Sequence, residues 1–173
     1  MQLLHTRQIR TDCWLTDDDM YKAVGVIDDD KGISMTTYSG RAIPPGGDLH
    51  TMRVTLLLDK MLVIQSASIE MIDIPGDECN HACASPDDLI GLSISRGYNK
   101  GLKERIGGIK GCSHVFALLQ QMGPAIVQAV YSDPTNDQHN SLDHWEPLID
   151  TCFTWRENGP VVADRRRHQA SKK

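Results

Sequence analysis

Phenylalanine is nearly missing from this chain, with two residues in 173, beside three Trp and four Tyr. The core must therefore be built from Leu, Ile, Val, Met and Ala. Also missing is any apolar run near the roughly 18 residues that a membrane helix needs, and the first residues, MQLLHTRQIR, lack a signal peptide's long apolar centre. The reading is a cytoplasmic protein with no membrane partner. An excess of positive charge is absent too: a net charge of -5 argues against a general nucleic-acid binder, whose phosphate contacts need a basic surface. No phosphate-loop, hydrolase-elbow or zincin motif occurs, and the glycines of GYNKGLKERIGG have neither the preceding strand nor the spacing of a dinucleotide fingerprint.

What the chain does contain is length enough for one domain, by the prior of roughly 100 to 200 residues each. It also has five cysteines, Cys13, Cys79, Cys83, Cys112 and Cys152. An odd set in a chain that can bury a core reads as reduced thiols, so any chemistry they have is thiol or metal chemistry. Cys13 and Cys152 read as structural.

The first 75 residues have strand grammar. MYKAVGVIDDDKGISMTTY holds a short apolar alternation, an Asp/Lys/Gly turn and a second β-prone stretch, which predicts a hairpin. RAIPPGGDLH reads as a loop. LHTMRVTLLLDK and MLVIQSASIEMIDIP meet at Asp59-Lys60 as an antiparallel pair, and period two puts His50, Met52, Val54, Leu56 and Leu58 on one face and Arg53 and Thr55 on the other.

Past Pro75 the grammar is helical. SPDDLIGL opens with Ser85 as N-cap and Pro86 at the first helical position. YNKGLKERIGG predicts a second short helix stopped by Gly107-Gly108. A third runs from about Cys112 to Tyr131 on the spacing of Val115, Leu119, Met122, Ile126 and Val130, with Pro124 inside it. A short helix is predicted near 145–153 and a turn at Asn158-Gly159. The expected plan is a single α+β domain, its mostly antiparallel sheet (about 1–75) packed against about three helices (about 85–131). A segment 132–164 wraps over it, and residues 165–173 form a solvated basic tail.

Four stretches resemble the bacterial domain-of-unknown-function family 2889: HTRQI, LHTMRVTLLLDKMLVIQSASIEMIDIPGDEC, LIGLSISRGYNKGLKERIGGIKGCSHVFALL and CFTWRENGPVV. The most specific is the pattern Leu-Gly-Gly-x-x-Gly-Cys-Thr-His-Leu, here IGGIKGCSHV, with Ser113 for Thr and Val115 for Leu. The family's LHDM is LHTM here, so Thr51 replaces an acid. The resemblance implies a role in the breakdown of aromatic compounds by association. The chain is more faintly similar to NifU-like iron-sulfur scaffold proteins, a likeness that implies ligand roles for Cys79, Cys112 and His114; the scaffold's further ligand cysteine has no counterpart between Cys83 and Cys112.

Against that background Cys112 and His114 stand first. A thiol in the first turn of a helix meets unpaired N–H groups and the positive dipole end, which favour thiolate for attack or for metal. At an irregular helix start His114 can reach the same point. CNHAC, residues 79–83, has zinc half-site spacing, and His50 ends an apolar strand face. Arg53, Tyr98, Lys100 and Lys103 are candidates to hold an anionic substrate such as an aryl carboxylate. Trp14, Trp145 and Trp155 are candidates to cap the core.

Two functions are expected on these grounds. One is a small-molecule catabolic enzyme, a lyase or isomerase acting on an aromatic or related intermediate. His50, His114 and Cys112 would carry its chemistry, and Arg53 and Tyr98 would hold the substrate. The other is a metal- or iron-sulfur-binding scaffold using Cys79, Cys112 and His114, with zinc or iron as the metal. Either is compatible with a homo-oligomer.

Overall fold

The computed structural model describes residues 1–81, 85–133, 135 and 145–171. Cys83, Lys172, Lys173 and most of the 134–144 stretch of the expected wrapping segment lie outside the described residues. The chain forms two compact units, Met1–Ala129 and Val130–Lys173.

The first unit is α+β. Its strands are β1 (His5–Leu15), β2 (Tyr21–Lys31), β3 (Met35–Thr36), β4 (Ala42–Ile43), β5 (Gly47–Leu58) and β6 (Ile64–Asp73). Four of them make an antiparallel sheet in the order β1-β2-β5-β6, and β3 pairs with β4 in a separate ribbon. The hairpin expected inside MYKAVGVIDDDKGISMTTY is thus replaced by one long strand and a short ribbon. Asp28–Lys31 continue β2 because Asp29 finds partners on both neighbouring strands, with Arg7 opposite it on β1 and His50 opposite it on β5.

Period two decides which side of each strand is dry. On β2 the buried row is Tyr21, Ala23, Gly25, Ile27 and Asp29, four uncharged residues and then a carboxylate. On β5 it is Met52, Val54, Leu56 and Leu58, all wholly buried, with half-buried His50 at the end. Burying each such side chain contributes about 1.5–3 kcal/mol. The β5–β6 pairing and the face expected for His50 are both found.

A helix covers this side, the last of three described in the first unit. α1 (Glu78–His81) is a single turn, α2 spans Tyr98–Ile106 and α3 spans Ser113–Tyr131. The start marked by Ser85 is real, since its hydroxyl accepts from the Asp87 amide at 3.3 Å, but the element it opens is a 3-10 turn, Pro86–Leu89. Residues 91–94 then bond along the start of β6, Gly91 to Ile64 at 2.8 Å and Ile94 to Leu62 at 2.9 Å, which ends the turn early. α3 buries Val115, Leu118, Leu119, Met122 and Ile126 at the spacing of its apolar stripe. It crosses β2 at Gly25, where a Cβ would stand 2.5 Å from Met122 Sδ and 3.0 Å from Leu118. Only a residue without a side chain lets helix and strand approach so closely. Among the described residues no helix is long and apolar enough to cross a membrane.

The second unit contains a 3-10 turn, Glu146–Leu148, and a helix α4, Pro160–Ser171. Trp145 and Trp155 stack at 6.4 Å between centroids. The run Arg165–Arg167, expected in a solvated tail, is helical: Arg166 pairs with Glu157 at 2.5 Å and Arg167 with Asp164 at 3.0 Å, one turn back.

Candidate metal centre

Arg7, Asp29 and His50 are consecutive partners across β1, β2 and β5, so their side chains form one row on the helix-covered face. The Asp29 side chain is 2% exposed. Arg7 grips it side-on, Nε donating to Oδ1 and Nη2 to Oδ2, each at 2.7 Å. His5, two residues before Arg7 and on the same strand face, places Nε2 3.3 Å from Oδ1.

The remaining side of Oδ2 faces two imidazoles, His50 Nδ1 and His114 Nε2, both at 3.4 Å. His114 reaches this point from the first turn of α3. The Cys112 carbonyl accepts the Phe116 amide at 2.9 Å and so opens the helix. Gly111 lies so close to α2 that a Cβ there would be 2.7 Å from the Ile106 carbonyl. That contact, together with the Gly25 crossing, sets the helix start above Asp29. The two imidazole rings stack with centroids 3.8 Å apart and planes 27° apart.

The charges are set by this packing. Burial alone would raise the Asp29 carboxyl, but the hydrogen bond and charge of Arg7 outweigh it and hold the group below the usual carboxylate range. Burial, reinforced by the neighbouring His114, pushes His50 down to about 4. Burial also lowers His114. At neutral pH the centre is therefore one carboxylate and two uncharged imidazoles, with Arg7 as counter-charge.

One nitrogen atom is left over. His50 Nδ1 is buried and makes no well-aligned hydrogen bond among the described residues; its neighbour is Asp29 Oδ2, at an ion-pair distance of 3.4 Å. One ligand atom from each of Asp29, His50 and His114 can be chosen so that all three lie within 4.8 Å of one another. Ligands about 2.0–2.2 Å from a common ion in a tetrahedral array stand roughly 3.4 Å apart, which is the separation of Asp29 Oδ2 from each imidazole nitrogen; the stacked rings must swing apart for both nitrogens to face one ion. Two imidazoles and one carboxylate are a donor set for zinc or non-haem iron. Arg7 and Cys112 would supply the outer hydrogen bonds that such sites use: Arg7 orients the carboxylate, and Cys112 Sγ stands 3.7 Å from the other nitrogen of His114, Nδ1.

His50, His114 and Cys112, singled out in the sequence, are brought together; the other candidates are not. Arg53 points from the opposite face of β5 and pairs with Glu70 at 3.2 Å, because it is odd in register where His50 is even. Tyr98 is buried against α3, donates to the Leu119 carbonyl at 3.0 Å, and has its phenol pushed above the ordinary range by burial. It is a packing residue, not a cleft rim. Cys79 lies in α1 with Tyr38 Oη at 3.8 Å from its sulfur and is no part of the cluster; a ligand set of Cys79, Cys112 and His114 is not assembled. Lys100 and Lys103 line an open groove of about 550 Å³ with Phe116 and Gln120.

Asp29, Arg7 and His5 are site residues that no sequence motif singles out. The signal for Asp29 is a charged residue continuing the buried alternation Tyr21, Ala23, Gly25, Ile27; the signal for the other two is the HTRQI stretch.

The first unit is thus an α+β domain with a carboxylate and two histidines gathered beneath the start of a long helix. The chain belongs to the family described as "Protein of unknown function (DUF2889)", whose model matches residues 5–128 and so spans every residue of this centre. No curated protein and no solved structure shows significant similarity to the chain.

Proposed function

We propose that this chain is a metal-dependent small-molecule enzyme of the lyase or isomerase kind, with a divalent transition-metal ion held by Asp29, His50 and His114. The observation that carries the reading is the buried His50 Nδ1, without a well-aligned hydrogen bond among the described residues, beside a carboxylate oxygen and a second imidazole. Uncharged imidazoles are the form that binds metal, and a three-ligand site leaves a coordination position for a substrate oxygen. An ion held there would supply Lewis-acid polarisation of a substrate carbonyl or phenol and would stabilise the charge that develops when a neighbouring C–H or C–C bond is broken, the step that lyases and isomerases share. The aromatic or related substrate rests on the association that the family likeness implies.

A metal scaffold without chemistry of its own is the second reading, and the same donor set supports it. The iron-sulfur version loses its basis, since Cys79 stands apart from Cys112 and His114.

The test begins with metal analysis of protein purified without a metal-binding tag, then cobalt(II) titration of wild type and of His50→Ala and His114→Ala. One equivalent bound by wild type and lost in both variants supports the centre, whereas a wild type that refuses zinc, cobalt and ferrous iron removes it. The loaded protein is then incubated with aromatic and unsaturated acids in deuterated water. Deuterium incorporation or product formation supports the enzyme; a fully loaded protein inert toward the whole panel assigns it to the scaffold reading.

A further inference from the structure

The expected holders of an acidic substrate, Arg53 and Tyr98, are occupied elsewhere, and the cation beside the centre is Arg7. Its guanidinium is planar with five N–H donors in a fixed fork. Nε and one N–H of Nη2 are spent on Asp29, and Nη1 has no partner among the described residues, so three of the five donors remain. Because Nη1 lies across the guanidinium from the Nε edge, its donors are directed away from Asp29. The side chain is 39% exposed, as is that of His5 on the same face of β1. One edge of Arg7 is thus locked on Asp29, the carboxylate that would hold the ion, while donors at its other end are unpaired in a partly exposed side chain.

We propose that Arg7 Nη1 is the anion-binding subsite of the centre, and that its ligand is a small carboxylic acid which places its carboxylate on Arg7 and a carbonyl or phenol oxygen on the metal. This rests on the metal-centre reading. Charge selects the class. Asp29 and Arg7 cancel, imidazoles ligate a metal in their neutral form, and an ion adds two positive charges, so the loaded centre favours an anion. Locking by Asp29 also matters: an arginine already held in one orientation loses little conformational freedom when an anion arrives. A carboxylate at the outer end of the guanidinium receives up to two charge-assisted hydrogen bonds, one from Nη1 and one from the remaining N–H of Nη2, which an uncharged amide of the same shape does not replace. The aromatic ring of an aryl acid would bridge the two ends.

The experiment uses 4-hydroxybenzoate and its uncharged isostere 4-hydroxybenzamide as probes of the zinc-loaded full chain. Binding is measured by calorimetry and by the ¹⁵N resonances of the Arg7 guanidinium. The expected result is about tenfold or greater preference for the acid, with the Arg7 resonances shifting on titration. In Arg7→Lys, checked for zinc content, the preference falls to near unity. Equal binding of acid and amide by wild type overturns the subsite, as does an unshifted Arg7 resonance at saturation. The ion is scored separately: acid preference with an Arg7 shift in protein that takes up no metal keeps the subsite and removes the metal centre, whereas full zinc loading without acid preference does the reverse.

Discussion

Asp29 and His50 are register partners across β2 and β5, yet their facing atoms, Oδ2 and Nδ1, stand 3.4 Å apart without a hydrogen bond between them. The strands bring the side chains side by side, and a bulge between Asp29 and Asp30 ends the regular pairing just beyond them.

Asp29 organises the row, so Asp29→Asn is expected to cost about 2–3 kcal/mol. That is below the range for a wholly buried ion pair because Arg7 remains 39% exposed. Chemical denaturation checks the stability. The same variant should lose cobalt binding while its far-UV circular dichroism stays native.

The Gly25 crossing sets the height of His114 above the sheet. Gly25→Ala should destabilise by about 1–3 kcal/mol, because its Cβ would collide with Met122. Met122→Ala alone creates a cavity. Combined with Gly25→Ala it should cost less than the two separate losses added, by about 1 kcal/mol in a double-mutant cycle. Simple additivity would mean that the helix moves away instead.

Tyr98 gives an alkaline signature. Its phenol is raised above the ordinary value of about 10 in the folded state, so the folded chain keeps a proton that the unfolded chain releases. The contribution is complete below pH 10 and is lost as pH rises above it. Urea midpoints measured from pH 9 to 11 should fall more steeply for wild type than for Tyr98→Phe. The variant should be weaker at pH 8 by about 1 kcal/mol, the worth of its bond to Leu119.

Cysteine variants separate neighbours of the centre from bystanders. Cys112→Ala should weaken cobalt affinity about tenfold through loss of the contact to His114, with Cys112→Ser recovering most of it. Cys79→Ser and Arg53→Ala should stay within about twofold of wild type, as substitutions away from a site do. A loss of binding in Cys79→Ser would restore the sulfur-rich ligand set.

Much of this architecture is local and therefore legible. The face of β5 that carries His50, the Asp59 turn into β6, the glycine stop after α2 and the stripe of α3 arise from period two, period 3.6 and capping chemistry, which neighbours in sequence decide. The same locality misleads at Asp28–Lys31, where a polar run resembling a turn is strand because its partners lie on β1 and β5. It misleads again at Arg165–Arg167, where ion pairs to Glu157 and Asp164 sustain a helix.

The sequence by itself determined which residue types were available and which strand face His50 would occupy. It also placed Cys112 and His114 at the opening of a helix. Only the tertiary structure decided that Arg7, Asp29 and His50 share one row, that His114 descends onto it, and that Arg53, Tyr98 and Cys79 stand apart. The physical reason is that strand register and the close approach of α3 at Gly25 are set by packing between segments remote in sequence, and no local period encodes where two such segments meet.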